Sequence, residues 1–282
     1  MVLESFLTPR IAERHPLEST LMGFLYGSIG LFLALWVFEE YASLVMIFLT
    51  SMAAIPLLYR TIFYEESKHT QFTREAPLLK SHSRTLSFLL LLFLGAAISY
   101  SVWYVVLPAP ATAELFSAQT ETIVTLNQRV TGQATQLDIL SRVFLNNVKV
   151  MIFCIIFSFI YGSGAIFILM WNASVIGAAV GNFFRVKLAA LTGLLGMPSI
   201  AEYFHVISLS ILRYALHGIP EILAYITAGL AGGIISISVI RHDFGTKDFE
   251  RTILDASDLI LIALLILGLA AGIEVYVTPT FF

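Results

Sequence analysis

Long apolar runs separated by short polar breaks dominate the chain. The first covers about 20–38 and stops at the Glu39-Glu40 pair; the second follows almost at once, about 42–59, so the two form a helical hairpin. A charged loop, about 60–85, carries Arg60, Lys68, Arg74, Lys80 and Arg84. A third run, about 86–107, ends at Pro108-Ala109-Pro110, where proline breaks the helix. Runs of about 20 apolar residues match the thickness of a bilayer core. Further on, Val143 to Phe184 is too long for one crossing, and Tyr161-Gly162-Ser163-Gly164 is the natural bend between spans at about 144–161 and 164–184. The last two spans fall at about 219–240 and 257–277.

Two stretches break this pattern. Residues 109–142 are rich in Thr, Gln and Ala, and Leu115, Ile123, Leu126, Val130, Leu137 and Leu140 predict amphipathic helices with a break at Gly132. Residues 186–217 hold Gly193, Gly196 and Pro198, then Glu202, His205, Arg213 and His217. That is too polar for an ordinary span and predicts a re-entrant or half-membrane segment held inside the protein. The N-terminal residues 1–20, charged and interrupted by Pro9 and Pro16, read as a surface amphipathic helix and not as a signal peptide.

Charge bias orients the chain. The basic loop 60–85 and the segment 241–251, with Arg241, Lys247 and Arg251, belong on the cytoplasmic side. Seven crossings with a cytoplasmic N-terminus satisfy both, provided that 186–217 does not cross. The expected fold is therefore an all-α polytopic transmembrane helical bundle of about seven spans plus one re-entrant segment. Its expected parts are a three-span unit with the N-terminal helix (1–107), an extracytoplasmic polar insert (108–142) and a membrane core (143–282) broken at 186–221. Composition agrees: 58% of residues are hydrophobic, 12% charged, and the mean hydropathy is +0.86, where a soluble domain carries about twice that charge. No long basic run points to nucleic acid. The single cysteine, Cys154, lies within an apolar run and has no partner for a disulfide.

Small residues four apart recur inside the spans: Gly23/Gly27, Gly177/Gly181, Gly229/Gly233 and Gly268/Gly272. Each pair shares one helix face and lets backbones approach closely, within the chain or across a homodimer seam.

Ionisable groups at membrane depth are costly and mark candidate sites. Glu202 and His205 are three apart, His217 and Glu221 four apart, each pair on one helical face, with Arg213 between them. Gly218-Ile219-Pro220 reads as the start of a helix, which puts Glu221 at its N-terminus. Three readings follow: His–Glu and Arg–Glu pairs that lock a broken helix, a proton or ion relay, or a metal site. Two imidazoles and two carboxylates, His205, His217, Glu202 and Glu221, would suit zinc, although no cofactor is required. Asn146, Asn147, Asn172 and Asn182 lie in or beside apolar spans, where they would form interhelical hydrogen bonds. No H-E-x-x-H, G-x-S-x-G or P-loop signature occurs, so no enzyme is expected.

These residues also carry a resemblance. Asn146-Asn147 opening a span, Tyr161-Gly162-Ser163-Gly164, the run from Asn172 to Gly177, His217-Gly218-Ile219-Pro220-Glu221, and Ala228-Gly229 together resemble the stage II sporulation protein M family over about 140–240. The resemblance implies a multi-pass protein of the cell membrane that acts as a non-catalytic scaffold for membrane or extracytoplasmic partners, with Asn146, Asn147, His217 and Glu221 as its characteristic positions. A transporter or channel, or an intramembrane metalloprotein, are the alternatives.

Overall fold

The computed structural model describes residues 16–69, 83–130, 135–161, 165–195, 199–241 and 244–281. All regular structure among them is helical: α1 (Pro16–Val37), a short 3-10 turn (Glu39–Tyr41), α2 (Ala42–His69), α3 (Ser83–Val106), α4 (Ala109–Leu115), α5 (Ser117–Val130), α6 (Gln136–Tyr161), α7 (Ala165–Leu195), α8 (Ile200–Ile240), α9 (Lys247–Gly272), a π-turn (Ile273–Val277) and α10 (Thr278–Phe281). Seven of these stretches are long and apolar enough to cross a membrane. The chain is an all-α polytopic bundle. Most of the predicted N-terminal surface helix, 1–20, lies outside the described residues, as do the turn at 162–164 and the break at Gly132.

The bundle has two halves. In one, α1 packs on α2 and α3, and α7 packs on α3; in the other, α8 packs on α6 and α9; α7 and α8 join them. Lipid tails compete with apolar side chains, so close backbone approach must supply much of the association. Glycines provide it. A Cβ at Gly23 would lie 2.0 Å from the Leu92 carbonyl oxygen, and one at Gly95 2.0 Å from that of Thr20. Gly177 and Gly181 seat the side chains of Tyr100 and Tyr104, and Gly229 lies against Ala165 and Ser158. Gly232 of α8 lies tight against the Ile155 carbonyl of α6; its neighbour Gly233, singled out by the four-residue spacing, is buried. Gly272 has nothing within 4 Å of its would-be Cβ, and Gly268 only a Phe144 ring carbon at 4.0 Å.

The polar insert is not a separate unit. Helices α4 and α5 lie across one end of the bundle, here termed the insert end, and Gln119 is fully buried there. Ser43 Oγ donates to Gln119 Oε1 at 2.9 Å, and Gln119 Nε2 donates to Ser174 Oγ at 3.1 Å, which ties α5 to α2 and α7. Residues 136–142, predicted to belong to the insert, are instead the first two turns of α6.

Arg185 closes the same end. Its Nη2 donates to the carbonyls of Leu107 and Val105 (3.1 Å to the latter), beyond and at the end of α3, and reaches Thr112 Oγ1 of α4 at 3.4 Å. Its guanidinium also lies over the Tyr104 ring, 5.3 Å from the centroid. A cation at a helix C-terminus meets the negative end of the dipole and the carbonyls that lack helical donors. Arg185→Met should therefore loosen the start of the insert. Charged hydrogen bonds of this kind contribute about 1.5–3 kcal/mol, so amide exchange over 107–116 should quicken about tenfold or more. Arg185→Lys, with no planar fork, should restore only part of the protection.

The largest departure from expectation is 186–217. Its described residues form no re-entrant turn: they are the last turns of α7 and the first half of α8, two helices that lean on each other as an arm. α8 is one helix of 41 residues, about 61 Å at about 1.5 Å per residue, and α7 has 31, about 46 Å. Both exceed the ~30 Å core of a bilayer. Pro220 does not start the helix; it sits inside it. It forgoes one backbone hydrogen bond, to the Leu216 carbonyl, a loss that packed membrane helices tolerate. The real start of α8 is Ser199, whose hydroxyl accepts from the Glu202 backbone while the Glu202 carboxylate accepts from the Ser199 N–H, a complete capping box.

Candidate functional site

Three helices bring polar groups together toward the insert end of the second half. α6 supplies Asn147, which is buried. α8 supplies His217, Glu221 and Tyr225, a series four apart on one face. The π-turn after α9 supplies Glu274, and α10 begins with Thr278. Asn147 Nδ2 donates to Glu221 Oε1. The Glu221 and Glu274 carboxyl groups lie within hydrogen-bond reach of each other. His217 Nδ1 is 3.3 Å from Thr278 Oγ1. Tyr225 is buried one turn below Glu221.

Local structure explains why these groups meet. The π-turn at 273–277 adds a residue to one turn of helix, as such turns do at many functional sites. Glu274 lies within it and faces Glu221 of α8. On α6, Asn147 is the inward member of the Asn146-Asn147 pair, and Asn146 is exposed. Counting about 1.5 Å per residue from Arg241 at the other end, Glu221 lies about 30 Å along α8.

Several expected contacts do not form. Glu221 takes Asn147 and Glu274 as partners, not His217 or Arg213. Arg213 instead stacks on Phe183 and Tyr214, with its guanidinium carbon 4.9 Å and 5.8 Å from their centroids. Glu202 is the capping residue of α8, and His205 is exposed on the arm. Because α8 is continuous, His205 is about 18 Å from His217 along the axis, and Glu202 about 28 Å from Glu221. The four proposed zinc donors therefore cannot share an ion. Among the described residues no group of three or more His, Cys, Asp or Glu is placed to hold a metal. Asn172 donates within its own helix, to the Ile168 carbonyl at 2.8 Å, and Asn182 is exposed.

A family model described as Stage II sporulation protein M matches residues 87–279. The chain belongs to that family. The matched stretch of this stage II sporulation protein M family member runs from α3 to α10 and takes in the insert, the arm and every residue of the cluster, while α1 and α2 fall outside it. No curated protein and no solved structure matches the chain. Of the four positions that the motif pattern emphasised, three lie in the cluster: Asn147 on α6, and His217 and Glu221 on α8. The second carboxyl of the cluster, Glu274, was missed. Its signal was in the sequence, since it is the one charged side chain in residues 259–282.

Proposed function

We propose that this family member is a non-catalytic scaffold of the cell membrane, with its N-terminus in the cytoplasm and its insert and arm on the opposite side. The orientation rests on the basic residues of 60–85 and 241–251. The scaffold reading rests on one observation: α7 and α8 run past the length of a crossing and carry apolar side chains with them. Phe204 is 66% exposed and Ile207 41% on the first half of α8. Beyond the hydrocarbon, apolar faces of this kind serve association. The carboxyl cluster then ties together the base of the arm, because His217 and Glu221 lie where α8 leaves the bundle.

Photo-crosslinking in native membranes tests this reading. A crosslinking side chain at Phe204 is expected to give a protein adduct of defined mass. The same group at Leu265, exposed on the lipid-facing side of α9, should give lipid adducts. Lipid adducts alone from both positions would remove the scaffold reading.

A second reading has its own support. Two carboxyl groups in contact at membrane depth, beside a π-turn, are the chemistry of proton- or cation-linked transport. Flux into proteoliposomes that depends on Glu221 and Glu274 would favour it; flux equal to that of empty vesicles across ions and pH would end it.

A further inference from the structure

A crevice between the two halves opens where α3, α7 and α8 meet. It encloses about 110 Å³ and is lined by Phe93, Ala97, Ile176, Val180, Ala215 and Ile222 among other apolar residues. Gly218 forms part of its wall, and its lack of a side chain keeps the space open. Along α3 the crevice runs from Leu90 to Ser101, about 16 Å of helix axis. That is about half of a ~30 Å hydrocarbon core, the depth of one leaflet.

The mouth at the insert end is cationic. Tyr214 lines the crevice and meets the Phe183 ring edge-on, centroids 6.4 Å apart. Around that ring stand two cations, the Arg213 guanidinium 4.9 Å and the Lys187 ammonium 5.3 Å from the centroid. Among the described residues neither has a carboxylate within ion-pair distance. Two like charges gathered over one ring repel, and an anion between them would reverse the sign of that interaction. The level is right for one: Lys187 follows Ala165, the start of α7, by about 33 Å of helix, the height of the headgroups.

We propose that the crevice and these two cations form a binding site for an anionic membrane phospholipid, one alkyl chain lying along the crevice and the phosphate between Arg213 and Lys187. The charge and the apolar slot are adjacent and in the order that a lipid presents them. A free phosphate would use only the first.

Native mass spectrometry of the full-length protein from detergent tests the site, with phosphatidylglycerol and phosphatidylcholine of identical chains as probes and inorganic phosphate as a third arm. Phosphatidylglycerol should be retained about tenfold over phosphatidylcholine, a difference of about 1.4 kcal/mol. Arg213→Gln and Lys187→Gln should each cut that preference, and Ala215→Phe should lower retention of both lipids alike. Equal retention of the two lipids by the wild type would overturn the proposal, as would a preference that survives both charge substitutions. So would inorganic phosphate being retained as strongly as phosphatidylglycerol, because the crevice would then contribute nothing. Lys187 is exposed, so Lys187→Gln remains decisive if Arg213→Gln fails to fold.

Discussion

Gly95→Val should cost the protein its stable fold in detergent. The reason is reciprocal contact. The would-be Cβ of Gly95 lies 2.0 Å from the Thr20 carbonyl oxygen and 2.9 Å from the Phe24 nitrogen, and that of Gly23 lies 2.0 Å from the Leu92 carbonyl oxygen and 3.0 Å from the Ala96 nitrogen. The obstacle in each case is backbone, which has no rotamer by which to yield. Even Gly95→Ala must part α1 from α3. Overpacking usually costs about 1–3 kcal/mol where side chains can adjust, and here they cannot, so Ala should reach about 3 kcal/mol and Val exceed it. At about 2–4 °C per kcal/mol for a chain of this size, Gly95→Ala should lower the melting temperature by about 6–12 °C. The contrast is Gly272→Ala, where the new methyl meets nothing within 4 Å and helix propensity favours Ala by about 1 kcal/mol. Its melting temperature should hold or rise. Equal melting of the two variants would show that α1 and α3 do not approach as closely as described.

That contrast shows what glycine spacing in a sequence can convey. Gly23/Gly27, Gly177/Gly181 and Gly268/Gly272 look alike as small-xxx-small pairs. The first two pairs are used inside the chain; the third faces open space. Spacing states that two glycines share a face, and which neighbour covers that face is a tertiary fact. Gly95 and Gly232 also make tight backbone contacts, and neither has a second glycine four residues away.

The spans were legible because hydrocarbon imposes a length, and an apolar run of that length can do little else. What could not be read was how far a helix continues once it leaves the apolar zone. Residues 186–217 were too polar to span, and a re-entrant turn was the economical inference; the structure instead extends α7 and α8. Pro220 misled for a related reason. Proline in the first turn of a helix is the commoner arrangement, and nothing local to Gly218-Ile219-Pro220 reveals that fifteen and more preceding residues are helical too. Once α8 is continuous, Glu202 and His205 must lie far from Glu221, and the metal set disappears with the break that had brought it together. Asn147, His217 and Glu221 were found as residues, but their partners were not. Pairing by opposite charge favoured Arg213 or His217 for Glu221. The bundle supplies Glu274 and Asn147, from helices that are distant in sequence.

Those partners reverse an expectation about Glu221. Were it paired with Arg213, Glu221→Gln would strand a buried cation at a cost of about 3–5 kcal/mol. With Asn147 and Glu274 as partners, the amide of Gln can accept from Asn147 through its oxygen and donate to Glu274 through its nitrogen. Glu221→Gln should therefore melt within about 1 kcal/mol of the wild type, or above it, because one of two adjacent acids has been removed. Asn147→Leu should behave in the opposite way. It takes away the amide donor that faces the carboxyl pair and leaves no polar replacement, and losing a hydrogen bond to such a group costs about 1.5–3 kcal/mol. A fall of about 3–12 °C follows. The double variant, Asn147→Leu with Glu221→Gln, should recover part of that loss, and the difference between the sum and the double measures the coupling of α6 to α8 directly. A destabilised Glu221→Gln with an unaffected Asn147→Leu would mean that the cluster is not assembled as described. The same variant separates the two functional readings. If the carboxyl pair serves only to hold the base of the arm, a folded Glu221→Gln keeps the crosslinks made from Phe204 and shows no altered flux. If the pair carries protons or cations, the same folded protein loses flux outright, since an amide in place of the carboxyl cannot release a proton.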